Sequence, residues 1–285
     1  IDYTPTNVVN GTISYPANFS PMDLDGVDIT TQLRSGNLAG LVNLRDTVYV
    51  NEQEKLNEFA TVMQTQINTL LNSGASVPPR SLMEGSLQGL TPATAFTATG
   101  TIRVAVTDGN GTIVNYSDIN LAAMTTVNDV LTALNGVAGL TATLTVDGEL
   151  SIAVAPTSNG VVINPLASAV TSSTGQSFSQ YFGLNDLFTG TSAEDIDVAS
   201  YLISSPEYLA ISVLSSSATL AAGDRGVNRG DGSIADAISD MLNSNVSFAA
   251  AGDFSAQSNT LQRYAQGFMS AAAAKADLTQ RETDT

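Results

Sequence analysis

The chain has 285 residues, 43% of them hydrophobic, which suits two domains with a buried core in each. It carries 27 acids against 10 bases, a formal charge of −17, and neither histidine nor cysteine. This composition excludes Ser-His and Cys-His nucleophiles, disulfide frameworks and zinc sites built on thiolate or imidazole.

In chain order, residues 1–34 show apolar positions at Val8, Val9 and Ile13. Turn formers stand at Tyr15-Pro16-Ala17-Asn18 and Asp25-Gly26. They predict a short strand or two and an irregular connection. The opening at Ile1 without an initiator methionine is read as a sign that a part precedes it. From Ser35 the period becomes helical, with Leu38, Leu41, Val42 and Arg45 three and four apart. The patch Thr47-Val48-Tyr49-Val50 is expected to interrupt this helix. Beyond it, Leu56, Phe59, Ala60, Met63, Ile67, Leu70 and Leu71 form an apolar stripe, with Glu52, Glu54, Lys55, Glu58 and Gln64 facing away. About 35 helical residues at 1.5 Å each span roughly 50 Å, a length that calls for partner helices. Asn72-Ser73-Gly74 supplies the stop, and Pro78-Pro79 stiffens the link that follows.

Residues 96–164 turn to period two. Ile102, Val104 and Val106 alternate with Arg103 and Ala105, and Asp108-Gly109-Asn110-Gly111 turns the chain into a second strand through Ile113. Thr126-Val127-Asn128-Asp129 reads as a capping box with Asp at the third position. The short helix it opens places Val127, Val130, Leu131 and Leu134 on one face and ends at Asn135-Gly136. A second hairpin follows, with Leu140, Ala142, Leu144 and Val146 alternating with threonines, a turn at Asp147-Gly148, and Leu150, Ile152 and Val154 returning. The order is β-β-α-β-β, with one helix over one face of an antiparallel sheet. Later, Ser233-Ile234-Ala235-Asp236 reads as another capping box, for a helix with Ile234, Ile238, Met241 and Leu242 on its apolar face. A last helix is expected from near Phe254, with Leu261, Ala265, Phe268, Ala272 and Leu278 as its stripe. It meets the polar tail without a cap, so it is read as cut in mid-course.

Two segments carry a family resemblance. Ser35-Gly36-Asn37-Leu38-Ala39-Gly40-Leu41-Val42-Asn43-Leu44-Arg45-Asp46 fits G-x-L-A-G-L-x-x-x-R-D. Tyr181-Phe182-Gly183-Leu184-Asn185-Asp186-Leu187-Phe188 contains F-G-L-N-D-L-F, followed by Ile196-Asp197-Val198 and by Ser205-Pro206-Glu207-Tyr208. In order and spacing these resemble flagellar hook-associated protein 1, the junction family between hook and filament, while residues 86–180 match it only loosely. The resemblance implies that helices from both chain ends pair into the coiled coil that builds the polymer, and that this chain is a fragment of the outer domains. Flagellin-like and hook-like proteins carry small β-rich insertions of the same order.

Candidate sites have plainer readings beside them. Asp23-Leu24-Asp25-Gly26-Val27-Asp28 falls short of a calcium loop, which needs a bidentate glutamate at its last position. Asp195 and Asp197 are expected on one strand face, without the pocket or proton-shuttling partner that glycoside hydrolysis demands. Arg229-Gly230-Asp231 matches an adhesion tripeptide but reads as the turn into a capped helix. Asn10, Asn18, Asn110, Asn115 and Asn245 head N-x-Ser/Thr acceptor sequences. Gly36 and Gly40 are expected at a close helix packing, and Arg45 in contact with a carboxylate. No catalytic, cofactor-binding or metal-binding residue is assigned.

The expected fold is α+β: a discontinuous helical rod from residues 1–86 and 186–285, with a β-rich ββαββ-like domain, 87–185, inserted. The rod's halves are expected to pack on each other, with Phe59 and Met63 near Leu261, Ala265 and Phe268. The expected function is structural, an extracellular self-assembling subunit at the hook–filament junction of the bacterial flagellum. Its partners are copies of itself and subunits on the hook and filament sides, with the fragment alone monomeric. No cluster of Lys/Arg could neutralise a row of phosphates, and no apolar run reaches the ~18 residues of a membrane span, so neither nucleic acid nor membrane is a partner. The alternatives are a flagellin-like filament or hook subunit, or a surface adhesin or carbohydrate-binding module, the last disfavoured by the absence of tryptophan.

Overall fold

A computed structural model describes residues 21–283. In chain order the strands and helices are β1 (Asp23–Leu24), β2 (Val27–Asp28), α1 (Gly36–Asn43), α2 (Tyr49–Leu71), β3 (Leu82–Glu84), β4 (Ala98–Thr99), β5 (Thr101–Asp108), β6 (Ile113–Asn120), α3 (Val127–Asn135), β7 (Leu140–Leu144), β8 (Leu150–Val154) and β9 (Asn159–Asn164). They continue as β10 (Ala169–Val170), α4 (Phe178–Phe182), β11 (Phe188–Thr189), β12 (Asp197–Val198), α5 (Ser200–Ser204), α6 (Ser233–Asn243), β13 (Val246–Phe248), β14 (Gln257–Asn259) and α7 (Leu261–Thr283). The chain is thus mixed helix and sheet, helical towards its amino-terminal side. Its contacts divide it into two units. The first runs through Val62, takes in Ser192–Glu194 and resumes at Ser244; the second is Met63–Thr191 with Asp195–Asn243. These bounds differ from divisions at 86/87 and 185/186, because the carboxyl-terminal half of α2 and most of residues 186–243 group with the strands.

In the first unit, Asp25-Gly26 turns β1 into β2 as expected, with both residues at positive φ. Val8, Val9 and Ile13 lie outside the described residues. The helix is not interrupted at Thr47–Val50. A π-helical turn over Leu44–Val48 joins α1 to α2, and the helix continues through the β-branched patch. The helix face also needs correction, since Lys55 is fully buried and Leu56 is 41% exposed. The last helix begins at Leu261 rather than near Phe254, because residues 257–259 pair with Val246–Phe248 as a hairpin. On α7, Leu261 and Tyr264 are buried and Ala265 and Phe268 half-buried, while Ala272 is exposed. Phe59 of α2 does meet this helix, stacking on Tyr264 at 6.4 Å. Met63 packs instead with Ile67, Leu71 and Ile234 in the second unit.

The second unit contains the expected β-β-α-β-β order, but its hairpins do not share a sheet. One three-stranded sheet has the order β3-β8-β7 and another the order β6-β5-β9, all antiparallel. Each hairpin recruits a third strand from elsewhere, β3 from the link after Pro78-Pro79 and β9 from after the second hairpin. Both faces of β5 are consequently covered. Ile102, Val104 and Val106 join the main core, with Val127, Val130, Leu134, Ile152, Phe178 and Phe182. Ala105, on the other face, packs with Ala75, Ile113, Val162, Leu214 and Val227. Arg103 is buried there too, and its guanidinium donates to both carboxylate oxygens of Asp118 at 2.7 and 2.8 Å and to the carbonyls of Ser215 and Ser217.

Local chemistry explains most element ends. The Thr126/Asp129 capping box forms as read. The turn after β7 takes Val146 out of the strand and exposes it completely. At α6 the entry is held by Asp231 rather than by a Ser233 capping box: Asp231 Oδ1 accepts from Ser233 N–H at 3.0 Å, and Ser233 is already helical. Ile234 is buried on α6 and Ile238 and Met241 pack beside it, whereas Leu242 is 45% exposed.

Candidate functional site

The most constrained polar site lies where the carboxyl-terminal turns of α2 receive the Phe182–Phe188 segment. Gln64, Asn68 and Asn72, four residues apart, share one helix face. Gly183 ends α4 at φ +65°, and a Cβ there would meet Ser86 Oγ and come within 2.6 Å of Asp186 Oδ2, so only glycine fits. Leu184 then enters the core, and every following residue is held by a side chain. Asn185 N–H donates to Asn72 Oδ1 at 2.9 Å, and Asn185 Nδ2 to the Gly74 carbonyl at 3.1 Å. Asn72 Nδ2 donates to Asp186 Oδ1 at 2.6 Å. The N–H groups of Leu187 and Phe188 both donate to Asn68 Oδ1, at 3.0 and 3.1 Å. The Phe188 carbonyl accepts from Asn68 Nδ2 at 2.8 Å and Gln64 Nε2 at 3.2 Å. The segment borrows from α2 the partners that a sheet would have given its backbone.

Two ionisable groups complete the site. Arg80 is 4% exposed and donates to the Leu184 carbonyl and to Asn185 Oδ1, with Tyr201 at 4.1 Å stacked on its guanidinium. Burial lowers its pKa, against the raising influence of Tyr201 and Glu84. Asp186 accepts from Asn72 and from Ser86 Oγ, yet burial pushes its carboxyl pKa up despite these bonds. The two residues line a cleft of about 300 Å³ together with Glu84, Ser86, Glu149 and Tyr201. Sequence reasoning placed Gln64 on the outward face and missed Asn68 and Arg80. The available signal was the four-residue repeat of amide side chains bordering the apolar stripe.

The first unit has its own polar centre. Lys55 Nζ lies 2.7 Å from Glu52 and 3.0 Å from Asp253, while Lys275 Nζ lies 3.3 Å from Glu52 and 2.7 Å from Asp253. Hydrogen bonds from Lys275 and Lys55 hold the Asp253 carboxyl at about 2, and Asp253 raises Lys275 in turn. Beside it, Tyr264 stacks on Phe248 at 4.0 Å and meets Phe254 edge-on at 5.7 Å. α2, α7 and the intervening hairpin thus close on one charged square and one aromatic stack.

The other candidates are not brought together. Asp23, Asp25 and Asp28 lie on and around a two-stranded turn, and among the described residues no group of three or more acidic side chains could hold a metal. Asp195 lies outside β12 and accepts from Thr191 N–H and Oγ1, so it shares no strand face with Asp197. In the Arg229-Gly230-Asp231 turn, both Asp231 oxygens are engaged, Oδ1 by Ser233 N–H and Oδ2 by Val213 N–H. The Ser233 bond leads in lowering its pKa. Asn10 and Asn18 lie outside the described residues. Asn110 is exposed in a turn and Asn245 is exposed just before β13, and Asn115 Nδ2 donates to the Ala138 carbonyl. Gly36 opens α1 at φ +82°, but a Cβ at Gly36 or Gly40 would meet nothing within 4 Å, so no close packing requires either glycine. Arg45 does contact a carboxylate, that of Asp46. Among the described residues no helix is long and apolar enough to cross a membrane.

This geometry binds distant chain segments by structural contacts rather than by a reactive constellation. Residues 5–82 match the family model for the helical domain of flagellar hook-associated protein FlgK. No curated protein matches the chain. Over that segment, which includes the Gly36–Asp46 motif and all of α2, the chain is similar to FlgK. The family matched over this segment is one of flagellar hook-associated structural proteins, part of an extracellular appendage.

Proposed function

We infer that this chain is a subunit of the hook–filament junction and assembles by helical packing. Its neighbours are further copies of itself and the hook-side and filament-side subunits, and its place is outside the cell. The observation that supports this reading is the apolar surface left on the first unit's helices: Leu38 is 45% exposed, Leu41 59% and Leu56 41%, with Met269 of α7 at 63%. α2 and α7 already bury one face in the Phe59–Tyr264 stack, so the apolar positions left exposed on these helices and on α1 suit a neighbouring helix. The domain inserted between the rod segments is the strand-rich body over 87–185, extended by the residues that share its core. The reading assigns the chain no catalytic step.

The test is capture at the end of purified hooks. The chain is expected to sediment as a monomer alone, to bind hook ends, and to provide a seed for filament subunits. Leu41→Asp should weaken end binding while leaving the folded spectrum intact. Binding along the sides of filaments with the same affinity, unaffected by Leu41→Asp, would defeat the junction reading.

A further inference from the structure

The sequence has Asn-Gly pairs at residues 10, 110, 135 and 159, and the last three lie within the described structure. We propose that the turn Asn110-Gly111 is a site of spontaneous deamidation and isoaspartate formation in the folded protein, and that the fold protects Asn135 and Asn159. In the reaction the Gly111 nitrogen attacks Asn110 Cγ and the Cγ–Nδ2 bond breaks. Ammonia leaves with the proton lost by Gly111, and water opens the cyclic imide at either carbonyl to give aspartate or isoaspartate.

The three sites share the same covalent chemistry, so the surroundings decide. Asn110 is exposed, and among the described residues only its backbone N–H and carbonyl are engaged, its carboxamide having no hydrogen-bond partner there. The attacking nitrogen gives up one bond, from Gly111 N–H to the Asp108 carbonyl at 3.0 Å. Asn135 is clamped at both ends of its carboxamide, Nδ2 donating to the Ala142 carbonyl and Oδ1 accepting from Ala142 N–H, each at 2.9 Å. Its Gly136 N–H is shared between the Thr132 and Ala133 carbonyls at the end of α3. Asn159 opens β9, where Gly160 pairs with Thr107 and the backbone of Pro79 and Arg80 stands 2.6 Å from where its Cβ would be. That packed ladder denies the rotation that brings Asn159 Cγ over the next nitrogen.

The product has a structural consequence. Gly111 O accepts from Gly226 N–H at 2.9 Å and Val227 N–H at 3.0 Å, and Arg225 donates to Asn110 O at 2.9 Å. Isoaspartate adds a methylene to the main chain at residue 110, displacing the carbonyl that anchors the 224–227 loop. Arg225 then becomes a faster tryptic site.

The experiment ages the folded 285-residue chain in mildly alkaline buffer. Each Asn-Gly pair is followed by peptide mass mapping and by methyl transfer from an isoaspartyl methyltransferase. Asn110 is expected to convert several-fold faster than Asn135 and Asn159, and denaturant should bring the three rates together. Aged protein should be cut at Arg225 several-fold faster, and Asn110→Gln should abolish both the early methyl-accepting product and this gain. Equal conversion of Asn135 or Asn159 in the folded state would overturn the proposal. So would a rate order that survives denaturant, or an early product that persists in Asn110→Gln.

Discussion

Asn68 and Phe188 stand 120 residues apart and exchange two hydrogen bonds: Asn68 Nδ2 donates to the Phe188 carbonyl at 2.8 Å, and Phe188 N–H donates back to Asn68 Oδ1 at 3.1 Å. One amide side chain thereby does for the segment what a neighbouring strand would do, and it also takes the Leu187 N–H at 3.0 Å. Asn68→Ala leaves the Leu187 and Phe188 N–H groups without partners in a part-buried site and the Phe188 carbonyl with only Gln64, so it should cost about 2–4 kcal/mol in urea unfolding. Gln64→Ala, at the exposed end of the same face, should cost no more than about 1 kcal/mol. Equal losses from the two changes would show that helix propensity, rather than the exchanged bonds, sets the result.

Much of the local structure was legible because it depends on neighbours in sequence. The capping box at Thr126 and Asp129, the turn at Asp108–Gly111 and the helical stripe through Ile67 and Leu71 all follow from local periodicity or turn chemistry. The errors arose where a distant segment decides the environment. Lys55 is charged and stands among glutamates on the sequence's polar face, yet it is buried because Asp253, nearly two hundred residues on, meets it. Residues 257–259 became strand rather than helix because Val246–Phe248 pairs with them. The two hairpins separated into two sheets because β3 and β9 come from segments with no alternation long enough to announce a strand. Asn68 was invisible for the same reason, since an amide on a helix shows nothing of the loop that will use it.

Tyr264 tests the first unit's core. Its ring is 1% exposed between Phe59 and Phe248, and its hydroxyl is buried without a hydrogen-bond partner among the described residues. A buried hydroxyl without a partner is destabilising. Tyr264→Phe should therefore leave the melting temperature unchanged or raise it, by up to about 1 kcal/mol in stability, while Tyr264→Ala should cost about 3–5 kcal/mol. A clear loss in Tyr264→Phe would mean that the hydroxyl has a bound water as partner.

The square of Lys55, Glu52, Asp253 and Lys275 predicts an acid limb. The Asp253 pKa falls from 3.8 to about 2 on folding, so its contribution is fully present above the unfolded value and is lost as pH falls through about 2. The side chain is 40% exposed, and solvent screening holds the contribution to about 1 kcal/mol or less. Asp253→Asn should flatten the acid limb of stability against pH. It also removes one of the two carboxylates that meet Lys55, the member with no exposed surface. Lys55→Met should be the milder change at neutral pH, because Glu52 and Asp253 keep Lys275 and partial solvent contact. Chemical denaturation of both variants from acid to neutral pH checks the order.

Asp186 should behave in the opposite sense. Burial raises its pKa on folding, and the bonds from Ser86 and Asn72 only partly offset that shift. Between the unfolded and the folded pKa the native state binds the extra proton, so this group's contribution to stability falls as pH rises through that window. At neutral pH the carboxylate is a net burden, retained in a segment that needs its acceptors. Asn at this position keeps an acceptor for Asn72 Nδ2 and offers an N–H to Ser86 Oγ, which can rotate to accept. Asp186→Asn should therefore match or exceed the parent's stability at neutral pH and lose the advantage on acidification. Asp186→Ala should cost about 1–3 kcal/mol, because Asn72 Nδ2 loses an acceptor in a buried site. Urea midpoints across pH separate the outcomes. A destabilised Asp186→Asn at neutral pH would show that the charge itself holds the Phe182–Phe188 segment in place.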